Sequence, residues 1–290
     1  MKKFTILIPI YNDWESLKIL LSNINECIKN IKSAQFNCII VNDCSTVINP
    51  KIKIPNKINS IKIIHMSKNK GHARCNAFGI SYLSDNPNFD HLILMDGDGE
   101  DRPEEIKLLV DKILLEPNKS VVAKRIKRSE GLLFQMFYKF HKYLTLITTG
   151  NLINFGNYSC LTKHDLKILS TKASLWSSFS GSFKLYIKRY NEINSTRGMR
   201  YFGPSQMSLF KLVIHSFSII AVFKYRLFFI SIILLTSLHY LGIFIKFNFL
   251  LFQIIIVLFA ILVFVISFRE NEKELENSQL DVVNTEELTH

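Results

Sequence analysis

The sequence predicts an α/β domain built on a mostly parallel sheet, followed by a helical hairpin that crosses a membrane. Short apolar, β-rich runs alternate with helical stretches over the first 125 residues, which is typical of a sheet covered on both faces. Two long apolar segments and an acidic stretch come later. At 290 residues, the chain is long enough for one such domain and this appendage.

Five strands and three helices are predicted in the domain. The strands cover residues 4–10, 38–41, 61–64, 92–95 and 120–123. The helices begin at a cap formed by Asn12 or Asp13, at His72 and near Pro103. Because parallel sheets bind ligands at the carboxyl ends of their strands, we expect the chemistry to follow Ile10, Val41 and Met95.

The two apolar segments, 227–245 and 247–268, contain no Asp, Glu, Lys or Arg, and only Lys246 separates them. At about 1.5 Å per residue, each can cross a hydrocarbon layer of about 30 Å. Basic residues flank the pair at Lys211, Lys224, Arg226, Arg269 and Lys273. Basic flanks favour the cytoplasmic side. We therefore predict a multi-pass membrane protein whose N-terminal domain and both termini are cytoplasmic.

The hairpin divides the chain into four parts. We assign a cytoplasmic domain to 1–205, a juxtamembrane helix to 206–226, the transmembrane hairpin to 227–268 and an acidic tail to 269–290. A narrow polar stripe suits the juxtamembrane helix to the membrane interface, and it consists of Ser208, Lys211, His215 and Ser218. The aromatic-rich amphipathic stretch 132–149 either lies at the same interface or packs on the sheet.

The charge of the chain is unevenly distributed. Residues 269–290 carry two basic and seven acidic residues, a net charge of −5, which leaves +17 for the remainder of a chain whose total is +12. We expect this tail to be disordered and solvated. The basic body suits a membrane surface and anionic substrates, whereas no nucleic-acid-binding motif is present and nucleic acid is not expected as a partner.

The strongest chemical signal is the run Asp96-Gly97-Asp98-Gly99-Glu100, which directly follows the fourth strand. Alternate residues of an extended chain point to the same side, so the three carboxylates are expected to converge. They repel one another unless a cation compensates, and hard oxygen ligands suit Mg²⁺ or Mn²⁺. We therefore predict a metal site at Asp96, Asp98 and Glu100, although Asp-x-Asp is also common in turns. The ion would neutralise charge on a leaving diphosphate.

Polar segments at three other places predict a nucleotide site. Tyr11 offers a ring that can stack on a base, and Asp43 offers an acceptor for a nucleobase or ribose. Gly71 permits close approach of the backbone before a helix, with Arg74 near a phosphate. The residues of these segments expected to bind the nucleotide sugar are Tyr11, Asp13, Asp43, Gly71 and Arg74.

These motifs, in this order, resemble those of the family 2 inverting glycosyltransferases of GT-A fold. The resemblance runs from residue 4 to about 125 and consists of Pro9-Ile10-Tyr11-Asn12-Asp13, Asp43-Cys44-Ser45-Thr46, Asn69-Lys70-Gly71 and Asp96-Gly97-Asp98. It implies a Rossmann-like GT-A domain that holds the nucleotide with Pro9, Tyr11, Asp13 and Asp43. It also implies that Asp96 and Asp98 hold the metal and the donor diphosphate, with Asp98 as the catalytic residue.

The later part of the chain resembles the polyprenyl-phosphate glycosyltransferases, a subgroup similar to dolichol-phosphate mannosyltransferase. The shared features are the run from Asp96 to Glu104, arginines after the fifth strand, an Arg-x-x-Gly-x-Ser motif and a terminal membrane hairpin. This resemblance implies contacts to phosphate or acceptor by Arg125, Arg128, Arg200 and Ser205. The chain departs from the subgroup at Glu100, which is usually glutamine, and at Asn157, which is often aspartate.

The acceptor can also be inferred from the residues. A sugar hydroxyl needs a general base at neutral pH, whereas a phosphate is already anionic. Residues 166–191 contain no Asp or Glu, which favours a phosphate acceptor unless Asp165 or Glu192 folds inward. The sequence thus predicts a metal-dependent, inverting glycosyltransferase that moves a sugar from a UDP- or GDP-sugar to a polyprenyl phosphate.

Two alternatives stay open. One is transfer to a sugar hydroxyl of a lipid-linked glycan, and the other is a non-catalytic membrane scaffold of the same fold, against which the intact acidic run argues. A Rossmann dehydrogenase is disfavoured because no Gly-x-Gly-x-x-Gly follows the first strand. The sequence leaves open the sugar, the nucleotide and whether the chain forms a homo-oligomer.

Overall fold

An eight-stranded sheet forms the centre of the protein in a computed structural model that describes residues 1–48, 50–86, 88–127, 142–203 and 209–290. The strands are β1 Lys2–Ile10, β2 Ala34–Asn42, β3 Ile58–Met66, β4 His91–Leu94, β5 Val121–Lys127, β6 Phe155–Thr162, β7 Asn191–Thr196 and β8 Val282–Thr289. Their order is β7-β5-β6-β4-β1-β2-β3-β8. Strands β1 to β4 run parallel, as do β5 and β7, whereas β6 and β8 pair antiparallel with their neighbours. The predicted mostly parallel α/β sheet is confirmed.

Helices α1 to α5 cover the two faces of this sheet. The helices with both ends in the described residues are α1 Trp14–Ile28, α2 His72–Ser84, α3 Ile106–Leu115, α4 Lys163–Ser170, α5 Phe179–Tyr186, α6 Leu209–Ala221, α7 Lys224–Ile245, α8 Leu250–Ser267 and α9 Glu272–Glu276. Ile6 and Ile8 of β1 point to the core under α1 and α3, whereas Leu7 between them points to the core under α2, α4 and α5. All three are fully buried. Burial on both faces explains why the strand is a continuous apolar run.

The predicted elements of the domain correspond to β1–β5 and α1–α3, with a short 3-10 turn at Pro103–Glu105 before α3. β4 ends at Leu94, so Met95 and the acidic run leave the sheet together at its carboxyl edge. Asp43 follows β2 at the same edge, and its backbone N–H donates to the carbonyl of Ile10 at 2.9 Å. The sheet therefore brings together the ends of β1, β2 and β4, where the sequence predicted the site.

The acidic tail differs from the expectation of disorder. It forms α9, a 3-10 turn at Asn277–Asp281, and β8, which pairs antiparallel with β3. The physical reason lies in its partner, because β3 and the loop after it are basic. Lys62 Nζ lies 3.9 Å from Glu287 Oε2, and Lys70 Nζ lies 2.7 Å from Asp281 Oδ2. The acidic tail therefore covers a basic sheet edge and neutralises part of its charge.

Helices α7 and α8 are long and apolar enough to cross a membrane, and they pack against each other as the predicted hairpin. Most of their side chains are exposed, including Phe244 and Leu251. The turn between them contains Lys246, whose φ of 55° is in the left-handed region and ends α7. These helices meet the length and composition of membrane spans.

The amphipathic segments meet at the base of this hairpin. Residues 142–149 are helical, and Leu144 packs with Phe217 of α6 against a small buried cluster formed by α6, α7 and α8. The rest of the predicted stretch 132–149 lies outside the described residues. Contrary to the predicted polar stripe, Ser218 is buried, whereas Phe210 and Val213 are exposed. The end of α6 packs on the protein, and its exposed residues are Phe210, Lys211, Leu212 and Val213, of which three are apolar.

Deleting residues 282–290 should destabilise the domain. Without β8, the backbone groups of β3 form an open edge and Leu288 no longer packs on the core. We expect a loss of roughly 2 kcal/mol, from burial of the order of one apolar side chain. Thermal unfolding, followed by tryptophan fluorescence, measures it. The exposed Val283→Ala is the matched control; an unchanged melting temperature of the truncated protein would contradict the role of β8.

Candidate active site

The acidic loop after β4 is held by its own carboxylates. Asp101 Oδ2 accepts a hydrogen bond from the backbone N–H of Asp96 at 3.0 Å, and Asp98 Oδ1 accepts one from the N–H of Glu100 at 2.9 Å. Gly99 has a φ of +91°, in the region that favours glycine. A Cβ at this glycine would lie 2.5 Å from the Tyr201 ring. The loop is therefore compact and closely covered.

The segment after β7 covers this loop and supplies two arginines. Arg200 bridges two acids: its Nη1 lies 2.5 Å from Asp98 Oδ2 and its Nη2 lies 3.0 Å from Asp13 Oδ2. Arg197 pairs with Glu100. Glu100, expected as a third metal ligand, is therefore directed to an arginine in this structure. Asp13, expected at the nucleotide, is joined to Asp98 through Arg200.

Asp96 faces a histidine that the sequence analysis did not include in the site. His72 Nε2, at the first residue of α2, lies 2.8 Å from Asp96 Oδ1. Asn157 Nδ2 of β6 lies 3.5 Å from the same carboxylate oxygen. The signal for His72 was its position directly after Gly71, at a helix start that the sheet brings to the tip of β4.

Negative charge at this loop shifts the pKa of several groups. Burial and the charge of Asp96 raise the pKa of Asp98 to about 6 and that of Asp101 to about 7. Burial disfavours a charged His72, but the attraction of Asp96 and its hydrogen bond prevail and raise the pKa of His72 to about 9. Burial also acts against ionisation of Asp96, yet His72 and then Arg125 hold its pKa below the ordinary value. The loop thus carries more negative charge than its protein partners compensate.

Asp96 and Asp98 fit a divalent cation when substrate phosphates complete its coordination. Among the described residues, no group of three His, Cys, Asp or Glu side chains is arranged to hold a metal ion. Mg²⁺ and similar ions commonly take only one or two carboxylates from the protein, together with phosphate oxygens. The two hard carboxylates and the raised pKa of Asp98 match that requirement.

The nucleotide side of the site is built around Asp43. Its buried carboxylate accepts from the backbone N–H groups of Lys70 at 2.7 Å and of Gly71 at 2.8 Å. Burial raises the pKa of Asp43. Gly71 has a φ of +89°, so its conformation rather than lack of space requires glycine. Asp43 therefore holds the loop in front of α2, and the partly exposed Tyr11 ring at the end of β1 remains open to a ligand.

The remaining predicted residues are spread around this centre. Pro9 is in β1, and its carbonyl oxygen lies close to Gly97. The Arg125 guanidinium lies 3.8 Å from Asp101 Oδ1, and Arg74 stacks over the Trp176 ring at 5.7 Å from its centroid. Arg128 and Ser205 lie outside the described residues. The structure thus gathers Asp13, Asp96, Asp98 and Arg200 at one place, with Arg125 beside them.

An α/β sheet with an Asp-x-Asp loop after β4 and a second loop held by Asp43 after β2, on either side of β1, defines a GT-A glycosyltransferase. Residues 5–191 match the model of Glycosyl transferase family 2, and the chain belongs to this family. The match covers the domain from β1 to the start of β7.

Similar proteins of known activity and structure agree with this family. The chain is 27% identical over 221 residues to an undecaprenyl-phosphate 4-deoxy-4-formamido-L-arabinose transferase of Photorhabdus laumondii, with 73% of this chain and 65% of that protein covered. It therefore spans slightly less than two thirds of that relative. A glucosyl-3-phosphoglycerate synthase of Mycobacterium tuberculosis, crystallised with Mn²⁺ and UDP, has a TM-score of 0.52 at 12% identity and covers 78% of this chain and 80% of its own. S. aureus TarS 1–349 has a TM-score of 0.50 at 16% identity, with 78% and 65% covered.

Substituting His72 should flatten the pH dependence of stability in metal-free protein. A raised histidine pKa contributes stability that is complete below about pH 6.5 and is lost as the pH rises through about 9. In EDTA, the melting temperature of the wild type should fall more steeply between pH 7.5 and 9.5 than that of His72→Gln. The exposed His164→Gln is the control and should follow the wild type. Parallel curves for all three proteins would contradict the ion pair.

Proposed function

We propose that this glycosyltransferase moves a sugar, with inversion, from a UDP- or GDP-sugar to a polyprenyl phosphate at the cytoplasmic surface of a membrane. The observation that carries the proposal is the pair of carboxylates, Asp96 and Asp98, at the tip of β4. They form an anionic centre whose charge the basic side chains around it do not fully compensate, which favours binding of a divalent cation together with the donor diphosphate. The relatives named for undecaprenyl-phosphate transfer support this choice of acceptor.

The donor would lie across the ends of β1, β2 and β4. Tyr11 would stack on the base, while Asp43 keeps the loop before α2 in place for the ribose and phosphates. A Mg²⁺ or Mn²⁺ ion held by Asp96 and Asp98 would stabilise the charge on the leaving nucleoside diphosphate. Arg200, whose guanidinium lies 2.5 Å from Asp98, would contact that diphosphate.

The acceptor side supports a phosphate nucleophile. Of the two acids considered as a general base, Asp165 is buried and accepts a hydrogen bond from Ser120 Oγ at 2.5 Å. Glu192 Oε2 lies 3.2 Å from Lys124 Nζ at the sheet edge. Neither is free to deprotonate a hydroxyl. A phosphate oxygen needs no base: it would attack the anomeric carbon as the bond to the diphosphate breaks, and the diphosphate leaves with the electron pair.

The membrane assignment rests on α7 and α8. Basic residues at both ends of the hairpin favour a cytoplasmic domain. Helix α6 and residues 142–149 pack at its base, so the exposed apolar side chains of α6 would face the lipid surface. This arrangement would hold the site near the head group of a long-chain lipid substrate.

Asp98→Asn and Asp96→Asn should each lower sugar transfer by roughly 100-fold or more, because each removes a ligand of the ion that stabilises the leaving group. Purified full-length protein would be screened with radiolabelled UDP- and GDP-sugars, Mg²⁺ or Mn²⁺, and a short polyprenyl phosphate. Asp111→Asn is the matched control, since Asp111 is exposed and pairs with Lys107 on α3. EDTA should abolish transfer by the wild type.

The acceptor is tested in the same assay. Product with a lipid-linked saccharide but not with plain polyprenyl phosphate would replace the proposal by transfer to a sugar hydroxyl. A cellular glycan phenotype that Asp98→Ala leaves unchanged, without product from any donor, would indicate the non-catalytic scaffold.

Metal binding can be measured separately from sugar transfer. Mn²⁺ should raise the melting temperature more in the presence of UDP or GDP than alone, because the protein supplies only two carboxylates and the diphosphate completes the site. Asp98→Asn should remove this joint effect, and Asp111→Asn should keep it. An equal effect of Mn²⁺ on wild type and Asp98→Asn would contradict a metal site at this loop.

A further inference from the structure

Two arginines near the site, Arg74 and Arg269, form no ion pair in the described part of the chain, unlike the three arginines around the acidic loop. The arginines around the acidic loop are neutralised there: Arg125 faces Asp101, Arg197 pairs with Glu100, and Arg200 bridges Asp13 and Asp98. Arg74 and Arg269 pair with no carboxylate among the described residues. Both are half-buried, and the Nε atom of each is buried without a hydrogen-bond partner in the described part of the chain. Buried guanidinium N–H groups without an acceptor are costly unless an anion binds.

The two arginines belong to segments that meet at Trp176. Arg74 lies over the indole ring, and the ring N–H donates to Glu274 Oε2 of α9 at 2.9 Å. Helix α9 begins three residues after Arg269, at Glu272, and packs against both α2 and the 3-10 turn that contains Trp176. The contact of the tail with α2 thus brings Arg269 towards Arg74.

The charges around this arginine pair leave it positive. Glu270 is the nearest acid in sequence, but Lys224 Nζ lies 2.5 Å from its Oε2. Glu274 accepts from Trp176 and lies 3.9 Å from Lys70, which also binds Asp281. Burial, and secondly the positive charge of Arg74, lower the pKa of Arg269. Two cations that repel each other in a partly buried place are the arrangement of an anion site.

The location of the pair connects the membrane to the reaction centre. Arg269 is two residues beyond the end of α8, at the base of the hairpin. Arg74 is two residues beyond His72, whose ring contacts Asp96. An anion bound by both arginines would therefore lie between the lipid surface and the acidic loop. Planar guanidinium groups bind phosphate through two N–H groups each, which suits a phosphate monoester.

We propose that Arg74 and Arg269 bind the phosphate of the lipid acceptor, a binding role that the sequence resemblance gave to Arg125, Arg128, Arg200 and Ser205. The inference rests on the proposed function for the identity of the lipid. It assigns the acceptor head group to residues from α2 and from the segment after α8, so that the membrane anchor itself supplies part of the substrate site.

Binding of a short polyprenyl phosphate to the full-length protein in phosphatidylcholine nanodiscs tests this site. Arg74→Gln and Arg269→Gln should each weaken its Kd by on the order of tenfold or more, as expected for loss of charge-assisted hydrogen bonds. Arg269→Lys should retain part of the affinity. Arg189→Gln, the same change at an exposed arginine before β7, is the matched control and should bind as the wild type does.

Three further ligands identify the source of the anion. The matching polyprenol, which lacks the phosphate, should bind equally to wild type and variants. Phosphatidylglycerol in the nanodisc and UDP or GDP in solution should also be unaffected by Arg269→Gln. A loss for either of these that equals the loss for polyprenyl phosphate would overturn the assignment, because the site would then serve the bilayer or the donor.

Stability of the ligand-free protein separates binding from a structural role. Arg269→Gln removes one of two like charges, so its melting temperature should be no lower than that of the wild type. A lowered melting temperature with an unchanged Kd would refute the inference. Arginine-dependent binding without sugar transfer would defeat the proposed function alone, whereas transfer to polyprenyl phosphate with wild-type Kd in both variants would defeat only this inference.

Discussion

Negative charge at the tip of β4 is the constraint around which the rest of the site is arranged. Asp96, Asp98 and Asp101 lie within six residues, and the sheet places them where burial makes their ionisation costly. Basic side chains from three other elements compensate part of this charge: His72 from α2, Arg125 from β5 and Arg200 from the segment after β7. The tertiary contacts of the loop are thus largely ion pairs between its carboxylates and basic side chains of other elements.

The basic side chains compensate the negative charge of the loop only in part, which suits a site that must bind and release ligands. The raised pKa of Asp98 means that Arg200 does not fully offset its neighbours. In the proposed complex, a divalent cation at Asp96 and Asp98 would compete with Arg200 for the Asp98 carboxylate, because it concentrates more charge on the same oxygens than a guanidinium does. Arg200 would then be available to contact the donor diphosphate.

The sequence predicted the parts of the fold whose signals are local. β1 to β5 are apolar runs, and the strand ends of a parallel sheet must meet at one edge, so the position of the site followed from Asp43, Asp96 and Asp98. β6 was missed because Gly156, Asn157 and Ser159 interrupt its apolar pattern. The partners of the acids were also missed. Which arginine or histidine faces a given carboxylate depends on contacts between different elements, such as Arg200 with Asp98 at a separation of 102 residues and with Asp13 at 187, and no local pattern records them.

The error about the tail has the same origin and a larger consequence. Seven acids in 22 residues indicate disorder only when the folded domain offers no basic surface for them to contact. Here β3 and the loop after it form such a surface. Ion pairs of the tail with Lys62 and Lys70 neutralise the charge of that sheet edge. The pair with Lys70 also holds the loop whose backbone N–H groups donate to Asp43. Arg74 and Arg269, at the junction of the domain and the hairpin, form no ion pair in the described part of the chain. A composition typical of a solvated tail therefore covers a basic sheet edge here, and the positive charge of this arginine pair is left for the anion that we propose binds there.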